Sequence, residues 1–281
     1  MSSVAKGPPA EPFFLQAQQG QRFCLFHAPV GACRGAVLYV APFGEEMNKS
    51  RRMAAMQARD LARHGVGVLL LDLHGCGDSS GDFSAARWNI WKDDIALGQQ
   101  WLEQRLGQPV SLWGLRLGAT LALDYARAPR LPLARLLLWQ PVHSGATFLT
   151  QFLRLRIAND MLAESKEKGS NTQALRDALR AGETLEVAGY DLAPALAAAI
   201  EALDAAAMLV ADCPVHWFEA VPEDGRPLSP AGAKVIAAWA SHAVAPHVHL
   251  VTCPPFWATQ EVTECAPLIA ATSSVFAGAQ S

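Results

Sequence analysis

The sequence predicts an α/β fold, a mostly parallel central sheet flanked by helices, with a helical insertion after residue 142. Three observations carry this prediction. Between about residues 35 and 142, apolar runs of strand length alternate with helical stretches across short loops, as expected for strands buried on both faces. Residues 143–210 drop that alternation for helical periodicity, and it resumes from 211. The chain has 281 residues, 51% of them hydrophobic, enough for one large core.

The elements follow in order. "FFLQAQQGQRFCLFHAP" gives two short strands around the turn Gln18-Gln19-Gly20, an antiparallel hairpin. "GAVLYVAP" is a continuous apolar strand, and "FGEEMNKS" reads as a polar loop in which Ser50 caps the helix "RRMAAMQARDLARHG", stopped by Gly65. "VGVLLLDL" is the next buried strand, followed by the glycine-rich loop "HGCGDSSGD" and the helix "WNIWKDDIALGQQWLEQRLG". "VSLWG" is a strand, "ATLALDYARA" a helix and "ARLLLWQPV" a strand. The insertion carries the helices "FLTQFLRLRIANDMLAESKEKG" and "PALAAAIEALDAAAML". "PVHWFEA" (strand), "AGAKVIAAWASHA" (helix), "HVHLVT" (strand), the loop "CPPFWATQE" and a helical tail complete the chain. The implied division is 12–142 and 211–281 for the two parts of the core and 143–210 for the cap insertion.

Composition narrows the partners. A net charge of −3 with 17% charged residues and no basic run leaves no electrostatic footprint for nucleic acid. "MSSVAKGPPAEPFF" lacks the continuous apolar stretch of a secretory signal. The longest apolar tract, "LAPALAAAIEALDAAAMLV", is interrupted by Glu201 and Asp204, too polar for a membrane span. A cytoplasmic protein is therefore expected. Six cysteines without a Cys-x-x-Cys pair are expected to be reduced and structural, and no metal or cofactor is predicted.

One stretch carries the functional question. "SLWGLRLGAT" is a buried strand running into a tight Gly114-x-Arg116-x-Gly118 turn and then a helix. With "DLHGCGDSSG" after the preceding strand, and with the order of elements, it resembles the α/β-hydrolase superfamily over essentially the whole chain. More narrowly, "PFGEEMNKSRRM", "WGLRLGA", "LWQPV" with "FLTQFLRLRIA", and "PPFW" with "TQE" resemble the second of two hydrolase-like families associated with the exosortase A system of bacteria. That resemblance implies an α/β-hydrolase fold encoded beside genes for exopolysaccharide production and PEP-CTERM protein sorting, and a partner enzyme from that neighbourhood. It implies no particular reaction, because fold does not establish function.

In the superfamily the elbow Gly-x-Ser-x-Gly presents a serine nucleophile. Here Arg116 stands in its place, and a guanidinium has donors only. The base should be a histidine in the loop after the last strand, but "CPPFWATQE" has none, and the position falls near Pro255 or Phe256. His247 and His249 lie too early and share one strand face, a polar face with no third metal ligand. For the acid, Glu219, Glu223 and Asp224 cluster at a strand end, and Glu219 is the one expected to pair with Arg116 if any does. Cys76 and His143 are weak candidates for a substitute nucleophile and base.

Backbone donors survive the missing serine. The NH of Phe43 or Gly44 with that of Leu117 would form an oxyanion site beside a fixed cation, suited to a carboxylate, phosphate or thioester oxygen. Glu45 or Glu46, with Arg51 or Arg52, would line the crevice mouth, and Trp257 would close an apolar pocket where the histidine is missing. Phe148, Phe152 and Leu155 of the cap would suit an acyl chain. A nucleotide-binding reading of "GCGDSSG" fails, because the next helical pattern starts only near Trp88. Two readings remain: a degenerate relative holding a small anionic or acyl ligand on Arg116, or an active hydrolase or acyltransferase on an ester or thioester with a non-standard constellation.

Overall fold

The computed structural model describes residues 9–162 and 171–277. In chain order the elements are β1 (Glu11–Gln16), β2 (Gln21–His27), β3 (Gly35–Val40), α1 (Glu45–Arg63), β4 (Val66–Leu71), α2 (Trp88–Leu106), β5 (Val110–Leu115), α3 (Leu117–Ala126) and β6 (Leu133–Trp139). They continue as α4 (Gly145–Leu162), α5 (Thr172–Arg180), β7 (Leu185–Val187), β8 (Tyr190–Leu192), α6 (Pro194–Glu201), β9 (Val215–Val221), α7 (Pro230–Ala240), β10 (His247–Thr252) and α8 (Ala266–Ala277).

Eight strands form one sheet in the order β1-β2-β4-β3-β5-β6-β9-β10. The β1–β2 and β2–β4 pairs are antiparallel, and every other pair is parallel. The fold class predicted from sequence is the one observed. Strands β3 to β5 are buried almost throughout because helices cover both faces, with α1 on β4 and against α8, and α2 on β3 and against α3. Tryptophans anchor this core: Trp113 meets Trp139 edge-on at 4.7 Å, and Trp217 meets Trp239 at 5.8 Å. Arg22 on β2 and Asp94 on α2, 1% and 2% exposed, form an ion pair at 2.7 Å that ties the antiparallel edge to a helix.

Four features depart from the sequence reading. Helix α1 begins at Glu45, not after Ser50, because Gly44 at φ 63° turns the chain and two glutamates favour the positive end of the helix dipole. Ser50 is buried inside the helix, its hydroxyl donating to the Glu46 carbonyl. Second, the insertion is not purely helical: β7 and β8 form a hairpin around Ala188 (φ 51°) and Gly189 (φ 84°). Third, the helix expected over 194–209 ends at Glu201, and a 3₁₀ turn follows at Ala205–Ala207. The helix predicted through residue 169 is seen to Leu162, and its remainder lies outside the described residues. Fourth, Cys253 and Cys265 are disulfide-paired rather than reduced, since the loop after β10 folds back to set their Cα atoms 5.7 Å apart.

His247 and His249 do share a strand face, and His216 of β9 joins them: its Nδ1 lies 3.1 Å from His249 Nε2 and its ring stacks on His247. Burial, then the two neighbouring histidines, lowers the pKa of His216 to about 4. Burial and Arg59 do the same to His27. Both fold as neutral rings, while the unfolded chain takes up protons near pH 6.5, so their stability contribution is complete above that pH and fades as pH falls toward 4. Asp94, raised to about 6 by burial, acts in the opposite direction over part of that range. Thermal denaturation between pH 7 and 4.5 should therefore show a smaller acid-induced fall in Tm for the His27→Gln/His216→Gln double variant than for wild type. Equal falls would show that these rings do not set the acid sensitivity.

Candidate functional site

Strand β5 ends at Leu115 and α3 begins at Leu117, leaving Arg116 alone on the turn at φ 55°, ψ −122°. That conformation costs a non-glycine residue on the order of 1–3 kcal/mol and persists only where the surroundings enforce it. Here they do. A Cβ on Gly118 would lie 2.3 Å from the Val40 carbonyl oxygen, and one on Gly114 would lie 2.5 Å from Ala119 Cα. The Arg116 NH donates to Trp139 O at 2.9 Å, and its carbonyl accepts from the amides of Ala119 and Thr120. The elbow geometry expected from sequence is thus present, with arginine at its apex. The amides of Leu117 and Phe43, both buried, make no hydrogen bond among the described residues, which leaves two donors at the meeting point of β3 and β5.

The Arg116 side chain is 17% exposed and lies between two groups. Its Nε donates to Glu46 Oε1 at 3.0 Å, and its guanidinium carbon sits 5.6 Å from the centre of the Trp257 ring. The two terminal nitrogens of Arg116 carry no hydrogen bond among the described residues. Glu46 Oε2 is buried and likewise unpartnered. Burial raises the Glu46 pKa, and Arg116 and Lys49 oppose the rise. These groups open onto a cavity of about 330 Å³ whose walls include Phe43, Lys49, Phe148, Phe152, Leu155 and Trp257. Glu45 also lines it, with its carboxylate accepting from Tyr190 Oη of the cap hairpin at 3.2 Å.

The remaining candidates sit elsewhere. Glu219, at the end of β9 and 3% exposed, accepts from the Ser229 amide at 2.8 Å. It therefore does not partner Arg116 as the sequence reading had it. Glu46 takes that role because α1 starts six residues earlier than predicted and its first turn faces the elbow. Glu219 Oε2 instead lies 4.0 Å from Nε2 of His143, whose ring stacks parallel on Trp217. Burial lowers the His143 pKa, with Glu219 opposing and Arg116 assisting. The His143 imidazole is thus neutral at neutral pH. Asp224 accepts from Thr252 Oγ1, and Glu223 pairs with Arg226. Cys76 is buried, and burial beside Asp72 pushes its thiol up to about 12, the opposite of the lowered pKa that marks a reactive cysteine. His143 Nε2 has no hydrogen-bond partner among the described residues. Arg51 bonds Asp72, and Arg52 pairs with Glu264, away from the cavity. The loop after β10 contains no histidine, and Trp257 from that loop covers Arg116. Among the described residues no cluster of three or more metal-binding side chains is formed, and no helix is long and apolar enough to cross a membrane.

Solved structures share this architecture. Est1E from Butyrivibrio proteoclasticus with bound ferulic acid superposes with a TM-score of 0.64 at 13% identity, covering 94% of this chain and 96% of its own. A soluble variant of monoglyceride lipase from Saccharomyces cerevisiae, with a substrate analogue, gives 0.63 at 15% identity, covering 97% and 95%. A putative hydrolase from Agrobacterium vitis gives 0.57 at 17% identity, covering 96% and 98%. At these identities the likeness establishes the fold alone. No functionally curated protein matches the sequence. Residues 32–205, more than half of the chain, match the family described as serine aminopeptidase, S33, and with its mostly parallel sheet and elbow turn the chain belongs to that family of the α/β-hydrolase superfamily.

Proposed function

We propose that this chain is a degenerate member of its family that binds a small anionic or acyl ligand in the cytoplasm and does not hydrolyse by a serine route. The observation that carries this reading is Arg116 at the apex of the elbow with two unengaged terminal nitrogens. A ligand oxygen would sit on those donors, with Lys49 and the amides of Phe43, Gly44 and Leu117 nearby. Its apolar part would lie against Phe148, Phe152 and Leu155 beneath the cap of residues 143–210. The cavity volume of about 330 Å³ fits small-molecule sites, which span roughly 300–1,000 Å³. The motif resemblance to exosortase A-associated proteins supports a ligand or partner enzyme from that exopolysaccharide and protein-sorting system.

Losing both serine and histidine removes a cooperating unit and leaves only binding and oxyanion contacts. The purified protein is expected to take up no fluorophosphonate probe at any serine and to leave nitrophenyl esters intact. Arg116→Ser should restore little activity, because the loop after β10 still lacks its base. A second reading, an ester or thioester hydrolase or acyltransferase with a non-standard constellation, draws on His143 facing Glu219 across 4.0 Å. It would gain the day if ester turnover appeared and His143→Gln abolished it.

A further inference from the structure

We infer that Cys253 and Cys265 form a reversible dithiol/disulfide pair whose closure fixes the cavity wall that carries Trp257. Cys253 directly follows β10 and Cys265 directly precedes α8, so the bridge closes the whole loop between them, 12 residues apart in sequence. That loop holds Phe256, fully buried against Trp139, and Trp257, which packs on Phe256 at 5.0 Å and covers the Arg116 guanidinium. Its far end is attached to α1, the helix that also bears Glu46. The Cys265 amide donates to Met53 Sδ at 3.3 Å, and Arg52 pairs with Glu264. The bridge therefore sits where β10, α8 and α1 meet the loop, and it limits how far Trp257 can move from Arg116.

Three of the other four cysteines are poor competitors for this chemistry, and the fourth, Cys33, is partly exposed and bonded to no other cysteine. Burial pushes the thiols of Cys24 and Cys76 up to about 12 and that of Cys213 to about 11, and none of the three is bonded to another cysteine. Cys253 and Cys265 are also buried, but the loop between them has no regular structure and is mostly exposed, with Pro254, Pro255, Ala258, Gln260, Glu261 and Val262 at the surface. Local opening of this loop gives an exchange partner access. Closure is two successive thiol–disulfide exchanges with a low-molecular-weight disulfide such as oxidised glutathione. One cysteine thiolate attacks a glutathione sulfur and expels a glutathione thiolate. The second cysteine then attacks the mixed disulfide and expels the other. The protein pair loses two electrons and two protons, and two reduced glutathione molecules leave.

The effect on ligand affinity rests on the binding reading above; the restraint of the loop does not. The test equilibrates the full chain with either oxidised or reduced glutathione. Alkylation after denaturation should label four of the six cysteines in the oxidised form and all six in the reduced form. Hydrogen exchange at residues 254–264 should be slower in the oxidised form, and decanoate should bind it at least about threefold more tightly, as expected when a wall is fixed in advance. The Cys253→Ala/Cys265→Ala variant should match the reduced form and ignore glutathione. Labelling of all six cysteines after oxidised glutathione, or equal loop exchange in the two forms, would overturn the inference. Slowed loop exchange with no decanoate binding in either form would support the clamp and count against the ligand reading alone.

Discussion

Replacing Arg22 with methionine is expected to lower the unfolding free energy by about 3–5 kcal/mol at pH 7.5, because it strands a buried carboxylate. Asp94 is 2% exposed, and Arg22 Nε at 2.7 Å is its one charged partner among the described residues, the His74 amide holding its other oxygen. Burial already raises the Asp94 pKa to about 6. Without the arginine it should rise further, so the deficit measured by urea denaturation should shrink as pH falls and the carboxyl takes up a proton. The double variant Arg22→Met/Asp94→Leu should recover most of the loss, since an apolar pair of similar volume removes the uncompensated charge. A single-variant loss below about 1 kcal/mol, the range of exposed ion pairs, would show that the pair does not join the hairpin to α2.

The second large effect is at the elbow. Gly118→Ala places a methyl group 2.3 Å from Val40 O and 2.4 Å from Ala41 O. Both are backbone atoms at the end of β3, so the turn itself must move, at a cost of about 3 kcal/mol. Gly118 has no positive φ, so this cost is purely steric. Gly107 provides the complementary case: it is left-handed at φ 63° with open space around it, and Gly107→Ala should cost only about 1 kcal/mol. Thermal melts of the two variants separate crowding from conformation. Equal losses would mean that the elbow is not packed against β3. Gly145→Ala should be as severe as Gly118→Ala, because its Cβ would lie 1.6 Å from the Ile200 carbonyl oxygen and would separate α4 from α6.

What the sequence revealed and what it hid follow from how local each signal is. "GAVLYV" and "VGVLLL" are readable as strands because a strand buried on both faces must be apolar at every position. The elbow is readable because Gly114 and Gly118 lie four residues apart; the crowding at Gly114 is local, against Ala119, whereas that at Gly118 comes from the distant carbonyls of Val40 and Ala41. Ser50 misled because a serine before an apolar periodic run has the chemistry of a cap, while Gly44 gives the actual start through backbone conformation. That shift hid the pairing of Glu46, already a candidate for the crevice mouth, with Arg116 across 70 residues of sequence. The three-residue strands "LEV" and "YDL" are too short for an alternating pattern, and only the Ala188-Gly189 turn marks them. His216 escaped notice as a neighbour of the β10 histidines because sheet register, which sets it opposite His247, and not spacing brings them together. The pairing of Cys253 with Cys265 depends on the path of a loop and has no motif.

In the proposed reading Arg116 is a cation held at the elbow for a ligand, with Glu46 as its resting partner. Glu46 both neutralises Arg116 and repels a ligand carboxylate, and its raised pKa means that acidification releases Arg116 earlier than an ordinary glutamate would. Calorimetric titration of decanoate into wild type, Arg116→Gln and Glu46→Gln tests this most directly. Saturable binding to wild type, loss of binding in Arg116→Gln, and about tenfold tighter binding in Glu46→Gln, equivalent to roughly 1.4 kcal/mol, are the expected results of the proposed reading. Undiminished binding in a folded Arg116→Gln variant, or weaker binding in Glu46→Gln, would contradict it.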